Sequence, residues 1–154
     1  MPDLSDSVDE KQWGHDPLPS EAQLYLLFDK LNNTFFNGSL PWVKIIYSTR
    51  MLNAGSFSPG TKGIKIGVKY HKIFPSDLED TLKHEMIHII DRSHGKLFKS
   101  IAKRIGASLR AKSHPDLIKP AKYIYACPIC GIIYNRRKRM RKASCGTCSK
   151  GGQI

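Results

Sequence analysis

Apolar residues recur every three or four positions in three stretches of the chain, and this period predicts three amphipathic helices. The stretches cover residues 20–37, 76–90 and 95–105. Two of them begin with a capping-box pattern, in which a serine and a residue three positions later satisfy each other's backbone N–H groups. The pairs are Ser20 with Gln23 and Ser76 with Glu79. The third helix is expected to stop at Gly106, because glycine readily takes the left-handed conformation that ends a helix.

Shorter stretches concentrate or alternate apolar residues in the manner of β-strands. Residues 42–47 and 63–68 are the clearest of these, and the turn-forming residues 53–60 between them leave room for a short third strand. These strands predict a small sheet that precedes the second helix. A further strand is predicted at Tyr123–Tyr125, just before the first cysteine.

Length and composition fit one globular domain with a small appendage. The chain has 154 residues, and 40% of them are hydrophobic. No stretch approaches the roughly 20 apolar residues that a membrane span needs, and the first twenty residues lack the basic start and apolar core of a secretion signal. We expect a monomer without a membrane partner, located in the cytoplasm or nucleoid, or in the nucleus if the source is eukaryotic.

Charge is distributed unevenly along the chain. The formal net charge is +12, yet residues 1–20 carry five acidic residues and one lysine, so the remainder carries +16. The acidic start has few apolar residues to bury, and we expect residues 1–19 to form a disordered tail. An alternative is that this tail masks the basic surface of the rest.

Basic residues are concentrated in the final segment, residues 119–154, which holds nine Lys or Arg and no acidic residue. Six of the nine lie within seven positions: Arg136, Arg137, Lys138, Arg139, Arg141 and Lys142. Such density attracts phosphates electrostatically, so we interpret this segment as a DNA-binding loop. A plain solvated loop and a targeting signal are the alternatives.

The second predicted helix carries the motif HExxH, with a third histidine six residues further on. Residues four apart lie on one face of a helix, so His84 and His88 can bind one metal ion, and His94 would complete the ligands of a catalytic zinc. Three protein ligands leave the fourth position open for water, which Glu85 can reach as general base. The implied chemistry is hydrolysis. The alternative is a chance HExxH pattern on a solvated helix face.

All four cysteines lie in the last 28 residues, as two CxxC pairs: Cys127, Cys130, Cys145 and Cys148. Two such pairs can supply four thiolates to one tetrahedral zinc. Four protein ligands close the coordination shell, so this second zinc is predicted to be structural and to hold the basic loop between the pairs. Two disulfides in an oxidising compartment are the alternative.

A set of segments covers nearly everything after the acidic tail: Leu31–Leu40, Tyr47–Met51, Ala54-Gly55, Thr81–His88 and His94–Phe98. Together with the cysteine pairs, these segments resemble the SprT-like metalloprotease family. The resemblance maps the family's zinc ligands onto His84, His88 and His94, its catalytic glutamate onto Glu85, and its zinc ribbon onto the four cysteines. It implies a zincin-like α+β metalloprotease domain at residues 20–118 and a small zinc ribbon at residues 119–154.

The resemblance also implies a zinc-dependent endopeptidase that is stimulated by DNA and acts on DNA-bound or DNA-crosslinked proteins, hence a role in DNA–protein crosslink repair. Zincins generally pair an extended substrate with an edge strand. Our candidate for that substrate-binding edge is the segment Ile64, Lys65, Ile66, Gly67 and Val68. Two other functions stay open: a zinc ribonuclease, of a class that lacks a residue such as Glu85, and a DNA-binding adaptor with a silent histidine site.

Several other polar residues are weaker candidates for a functional role. His15, His71 and His114 have no partner at ligand spacing and are expected to be surface or loop residues. Asp91 stands where the metzincin pattern HExxHxxGxxH has glycine, and we interpret it as a charged residue at a helix end, with the orientation of a zinc ligand as the alternative. Candidates for stabilising the oxyanion are Tyr123, Tyr125 and Arg92.

Overall fold

The computed structural model describes residues 18–148 and divides the chain into two compact units, with the division between Leu117 and Ile118. This division falls one residue before the predicted one. The tail predicted for residues 1–19 lies outside the described residues except for its last two. No helix within residues 18–148 is long and apolar enough to cross a membrane.

The first unit begins with helix α1, Glu21–Phe36, which has the predicted capping box. The Ser20 hydroxyl accepts a hydrogen bond from the Gln23 backbone N–H at 3.2 Å, and the Gln23 side chain accepts one from the Ser20 N–H at 2.8 Å. Asn37 ends the helix in the left-handed conformation, with a φ of 52°. Both ends of α1 follow from the local sequence, and the prediction of this helix is confirmed.

A three-stranded sheet follows, formed by β1 (Lys44–Ser48), β2 (Gly55–Ser58) and β3 (Gly63–Gly67). Its order is β1-β3-β2, with β3 parallel to β1 and antiparallel to β2. The central strand β3 buries Ile64 and Ile66 completely. The short third strand expected between residues 53 and 60 is β2.

The prediction that Ile64–Val68 forms the substrate-binding edge is wrong. All five residues of β3 pair with β1, and four of them also pair with β2. Val68 already belongs to the short helix α2, Val68–Ile73. The alternation of Ile64 and Ile66 indicated a strand with one buried face, but alternation does not reveal how many neighbours a strand has. Within residues 18–148, the edge strands of this sheet are β1 and β2.

Two longer helices, α3 (Leu78–Ile90) and α4 (Lys96–Ile105), complete the first unit. Gly106 ends α4 in the left-handed conformation, as predicted. One face of each helix packs with α1 and the sheet in a single hydrophobic core, whose fully buried members include Leu24, Ile45, Leu82, Met86, Ile87 and Phe98. The core therefore fixes the rotation of α3, the helix that carries the HExxH motif.

The capping box predicted at Ser76 is wrong. Pro75–Asp77 form a 3-10 turn, so α3 starts only after Asp77 and no side chain caps its first turn. Asp77 instead accepts hydrogen bonds from the Tyr70 hydroxyl at 3.0 Å and from the Lys112 ammonium at 2.8 Å. Burial opposes ionisation of this carboxyl, but the bonds from Lys112 and Tyr70 outweigh burial and lower the pKa of Asp77.

The second unit contains the antiparallel strands β4 (Tyr123–Ala126) and β5 (Ile133–Arg136). The strand predicted at residues 123–125 is confirmed. Between residues 118 and 148, only Cys127 and Cys145 are buried, so the described part of this unit has almost no apolar core. A unit of this size and composition needs another source of stability, such as a bound metal ion.

His71 is not the surface histidine that we expected. It lies on α2 with none of its surface exposed, and its Nε2 is 3.2 Å from the backbone oxygen of Ala54. Burial lowers the pKa of His71, because the protein interior disfavours the charged ring. The contact joins residues that are 17 positions apart, so no local pattern could have revealed it.

We predict that protonation of His71 destabilises the fold as the pH decreases. The folded chain binds this proton more weakly than the unfolded chain, so the stabilisation is complete above a pH of about 6.5 and is lost as the pH falls towards the lowered pKa. In chemical denaturation, His71→Gln should lose less stability than the wild type between about pH 7 and about pH 5. His114→Gln, at a partly exposed position, is the control. Equal losses for His71→Gln and the wild type would contradict the prediction.

Candidate active site and metal centres

Three histidines converge at the end of α3. His84 and His88 lie one turn apart on that helix, and His94 lies in the turn that leads into α4. One ring nitrogen of each lies within 4.8 Å of the others, and the Nε2 atoms of His84 and His94 are 3.2 Å apart. Zinc binds imidazole nitrogens at about 2.0–2.1 Å, so nitrogens at these separations can share one ion. The structure thus brings the three predicted ligands of the catalytic zinc together.

Two of these rings are oriented by backbone oxygens. His84 Nδ1 lies 2.8 Å from the Ser108 oxygen, and His88 Nδ1 lies 3.0 Å from the Asp91 oxygen. A carbonyl can only accept, so each Nδ1 carries the proton and each Nε2 keeps its lone pair for a metal. Burial lowers the pKa of His84 and of His88, which favours the neutral form that binds metals.

Asp80, on the first turn of α3, supports the contact between Ser108 and His84. Its carboxylate accepts a hydrogen bond from the Ser108 backbone N–H at 2.7 Å, and the Ser108 carbonyl in turn accepts from His84. Asp80 therefore holds in place the peptide segment that orients a metal ligand. No local pattern predicts this contact, because Asp80 and Ser108 are 28 positions apart.

A hydrogen-bonded turn between α3 and α4 positions His94. Asp91 Oδ1 accepts from the Ser93 N–H at 2.9 Å and from the Ser93 hydroxyl at 2.8 Å, and Ser93 Oγ accepts from the Gly95 N–H at 3.1 Å. Asp91 Oδ2 accepts from the Phe98 N–H at 3.2 Å and so caps the first turn of α4. The bonds from Ser93 lower the pKa of Asp91. The geometry supports the alternative interpretation of Asp91, as a residue that orients ligands.

Glu85 is buried beside the histidines, with only 5% of its surface exposed. Its Oε2 has no hydrogen-bond partner among residues 18–148, and burial raises the pKa of Glu85 to about 7. Gly55 of β2 lies against it, since a Cβ there would be only 3.1 Å from Glu85 Oε1. A buried carboxyl without a partner is unfavourable for folding, and such groups are concentrated at functional sites. Three converging imidazoles and one unpartnered carboxyl fit a catalytic zinc.

A cleft of about 340 Å³ opens over these groups. It is lined by the edge strand β2 and by the histidine site: Gly55, Ser56, Phe57, Pro59, His84, Glu85, His88, Arg92 and His94. Of the predicted oxyanion candidates, Arg92 lines this cleft, whereas Tyr123 and Tyr125 belong to β4 of the second unit. A substrate in the cleft would therefore meet β2, Glu85 and Arg92 together.

In the second unit, the sulfur atoms of Cys127, Cys130 and Cys145 lie within 4.8 Å of one another. Cys130 and Cys145 Sγ are 3.6 Å apart, and all four cysteines are free rather than bonded as disulfides. Cys148 stands outside this group, but its backbone N–H donates to Cys145 Sγ at 3.2 Å. Three thiols thus fit a metal ion, while Cys148 as the fourth ligand stays a prediction.

Tyr134 of β5 supports the cysteine group, and the sequence did not single it out. Its hydroxyl lies 3.0 Å from Cys145 Sγ. Hydrogen bonds to its sulfur, with the largest contribution from Tyr134 and smaller ones from the Cys148 and Thr147 backbone, lower the pKa of Cys145 to about 6, which favours the thiolate that a metal requires. Tyr134 therefore prepares one sulfur for metal binding.

The six basic residues of the predicted DNA-binding loop, Arg136–Arg139 and Arg141-Lys142, are all exposed. Arg136 ends β5, and its guanidinium lies over the Tyr134 ring, 5.3 Å from the centroid. None of the six forms an ion pair with an acidic residue in the described part of the chain. Their charge is therefore available to an external anion.

Two histidines on a helix, a third histidine beyond it and a buried glutamate in the same cleft fit a metal-dependent hydrolase. The chain belongs to the SprT-like family, which matches residues 24–118. A "Protein SprT-like" from Oceanobacillus iheyensis is 31% identical over 144 residues, covering 85% of this chain and 94% of the relative. The family membership and the α+β architecture confirm the predicted resemblance and fold class.

Other similar proteins carry more explicit names. "DNA-dependent metalloprotease SPRTN" from Xenopus tropicalis is 33% identical over 133 residues, covering 73% of this chain and 30% of that protein. Among solved structures, the metallopeptidase zymogen abylysin of Pyrococcus abyssi is 16% identical with a TM-score of 0.47, over 57% of this chain and 84% of that chain. Jannalysin of Methanocaldococcus jannaschii is 20% identical with a TM-score of 0.43, over 53% and 79%. The sequence relatives support a metalloprotease.

We predict that Asp91→Ala weakens zinc binding at the histidine site by about 10- to 100-fold, because the turn that positions His94 loses its three hydrogen bonds to the carboxylate. Asp91→Asn, which keeps one side-chain oxygen as acceptor, should have a smaller effect. The measurement is zinc affinity in competition with a chelator, and Asp116→Ala, at an exposed acid outside the site, is the control. Wild-type affinity in Asp91→Ala would show that the turn does not position the ligands.

Proposed function

We propose that this protein is a zinc-dependent endopeptidase that acts on proteins bound or crosslinked to DNA. The observation that carries the proposal is the convergence of His84, His88 and His94 around one point, with the unpartnered carboxyl of Glu85 in the same cleft. Family membership supports the metalloprotease part of the proposal. The DNA part of the proposal draws on the basic loop and on the similarity to the DNA-dependent metalloprotease SPRTN.

In the proposed mechanism the three histidines hold the metal, and Glu85 moves the proton. Zinc bound by His84, His88 and His94 would supply a Lewis acid that polarises the scissile carbonyl and acidifies water. Glu85 accepts a proton from the attacking water, because its Oε2 has no other partner and its pKa lies near neutrality. It then gives that proton to the leaving nitrogen, which balances the hydrolysis of the peptide bond.

The strand that we propose for substrate binding is β2, in place of Ile64–Val68. β2 is an edge strand, and three of its residues, Gly55, Ser56 and Phe57, line the cleft. An extended peptide can add to such an edge through backbone hydrogen bonds, which bind without selecting a particular sequence. The other edge strand, β1, is less available, since the Ile45 N–H already donates to the Tyr25 hydroxyl at 2.9 Å.

For the second unit we propose a structural zinc held by Cys127, Cys130, Cys145 and Cys148. The near absence of an apolar core supports this, since metal binding would then supply much of the folding free energy. Four thiolates leave no position for water, so this zinc would have no part in hydrolysis. Its role would be to hold the exposed basic loop in shape for DNA.

We predict that Glu85→Gln lowers the rate of peptide-bond cleavage by about 10²- to 10⁴-fold, because the proton acceptor is lost while the metal ligands stay. The assay compares cleavage of an unbound protein with cleavage of the same protein crosslinked to DNA. Glu79→Gln is the matched control, since Glu79 is an exposed acid on the same helix, paired with Lys83 at 3.2 Å. Both variants should bind as much zinc as the wild type.

Cleavage by Glu85→Gln at the wild-type rate would exclude the proposed mechanism. RNA cleavage by the wild type, with no cleavage of protein, would favour the ribonuclease. A wild type that binds DNA but cleaves neither protein nor RNA would favour the adaptor.

We predict that the basic loop contributes a salt-dependent part of the DNA affinity. Replacing Arg136, Arg137, Lys138, Arg139 and Arg141 with Gln should reduce the slope of log affinity against log salt by about 4.5 for duplex or about 3.5 for single strands. The double variant Lys119→Gln and Lys122→Gln, in the same unit but outside the loop, should change the slope less. An unchanged slope in the loop variant would remove the loop from the DNA interface.

A further inference from the structure

A second concentration of positive charge lies in the first unit, separate from the predicted DNA-binding loop. Residues 92–115 contain no aspartate or glutamate. They contain seven basic residues: Arg92, Lys96, Lys99, Lys103, Arg104, Arg110 and Lys112. Surfaces that serve only solubility mix both signs of charge, as α1 does with Glu21, Asp29 and Lys30. The one-sided charge of residues 92–115 therefore indicates an anionic partner.

Three of these residues form a stripe along α4, which we call the lysine stripe: Lys96, Lys99 and Lys103. Their spacing of three and four residues places them on one face of the helix, and all three are exposed. The buried residues Phe98 and Ile105 lie on the opposite face. The stripe covers about 10 Å of helix, a length over which one strand of B-form DNA carries about three phosphates.

Within residues 18–148, no acidic side chain forms an ion pair with the lysine stripe. In the described part of the chain, the lysines that form ion pairs are Lys83, with Glu79, and Lys112, with Asp77. Of the neighbouring basic residues, Arg104 contacts only a backbone oxygen, that of Phe35, at 3.4 Å. An anion bound at the stripe would therefore not have to displace a carboxylate of the described residues.

One short helix, α4, carries both the lysine stripe and Phe98, which lies against the histidine site. Lys96 follows His94 by only two residues, a distance of at most about 7 Å along the chain. Phe98, on the other face of the same helix, lies against the rings of His84, His88 and His94 at centroid distances of 4.8, 4.7 and 4.8 Å. An anion on the stripe would thus be separated from the histidine site by about the width of one helix, roughly 10 Å.

We propose that Lys96, Lys99 and Lys103 bind the phosphate backbone of the DNA that carries the protein substrate. This inference rests on the proposed function and adds to it a DNA contact within the catalytic unit itself. DNA bound there would hold an attached protein near the cleft, which raises its effective concentration at the active site. DNA-attached proteins would then be cleaved faster than free ones without any preference for their sequence.

The test is a triple variant, Lys96→Gln, Lys99→Gln and Lys103→Gln, in the full chain. Its affinity for a DNA oligonucleotide should fall on the order of ten- to hundredfold at 0.15 M salt, and the log-log salt slope should shrink by about 2.7 for duplex or about 2.1 for single strands. Glutamine has nearly the same helix propensity as lysine, so α4 should stay folded. Thermal unfolding and zinc content check this directly.

The matched control replaces Lys30, Lys69 and Lys72 with Gln, which removes the same charge from exposed positions outside the stripe. If both triple variants lose affinity equally, net charge alone explains the effect and the stripe is not a binding site. If the stripe variant binds DNA like the wild type but binds polyglutamate less well, the partner is an acidic protein and the inference is wrong.

A measurement on the wild-type chain makes the test independent of any folding defect in a variant. Bound DNA should protect Lys96, Lys99 and Lys103 from acetylation, and Lys30, Lys69 and Lys72 should stay reactive. Equal acetylation of the stripe with and without DNA would overturn the inference. The proposed protease activity has its own test in Glu85→Gln on an unbound protein, so failure of the stripe and failure of the protease are separate results.

Discussion

The Phe98 ring lies against all three histidine rings, while its backbone N–H is held by Asp91 at 3.2 Å. Helix α4 therefore limits the motion of the rings on one side, and the carbonyls of Ser108 and Asp91 fix the protonated nitrogens of His84 and His88. These contacts come from the protein alone, so the Nε2 lone pairs of His84 and His88 are already available on the side where His94 joins them. A site organised in this way loses little conformational entropy when a metal binds.

Burial of the Glu85 carboxyl lowers the stability of the fold but suits the proposed proton transfer. A buried carboxyl with an unpartnered oxygen is unfavourable, and burial raises the pKa of Glu85 to about 7. The same properties suit a group that must accept and then release a proton near neutral pH. Gly55 is part of this arrangement: a Cβ there would be 2.9 Å from Thr81 Cγ2 and 3.1 Å from Glu85. The strand proposed to bind the substrate can approach the proposed base closely because it has glycine at that point.

The sequence predicted best the features that depend on residues close together in the chain. The capping box of α1, the end of α4 at Gly106 and the grouping of His84, His88 and His94 all rest on spacings of ten residues or fewer.

Features that depend on distant contacts were missed. The central place of β3 depends on two partner strands, and the burial of His71 depends on Ala54. The Asp80–Ser108 contact, which orients His84, spans 28 positions. Alternation and helical period fix which face a residue occupies, but not what that face meets.

The turn Asp91–Gly95 connects the metal ligands on α3 to helix α4, which carries the lysine stripe. The carboxylate of Asp91 caps the helix at Phe98, and its backbone oxygen orients His88, so one residue fixes both the start of α4 and a metal ligand. The lysine stripe begins one residue after this turn, on the face opposite Phe98. The lysine stripe and Phe98, which lies against the histidine rings, are therefore carried by the same helix, and a short hydrogen-bonded turn connects that helix to α3. Because the helix has a fixed rotation in the core, an anion on the stripe and a peptide in the cleft would keep a constant separation, and this would favour substrates in which protein and DNA are joined.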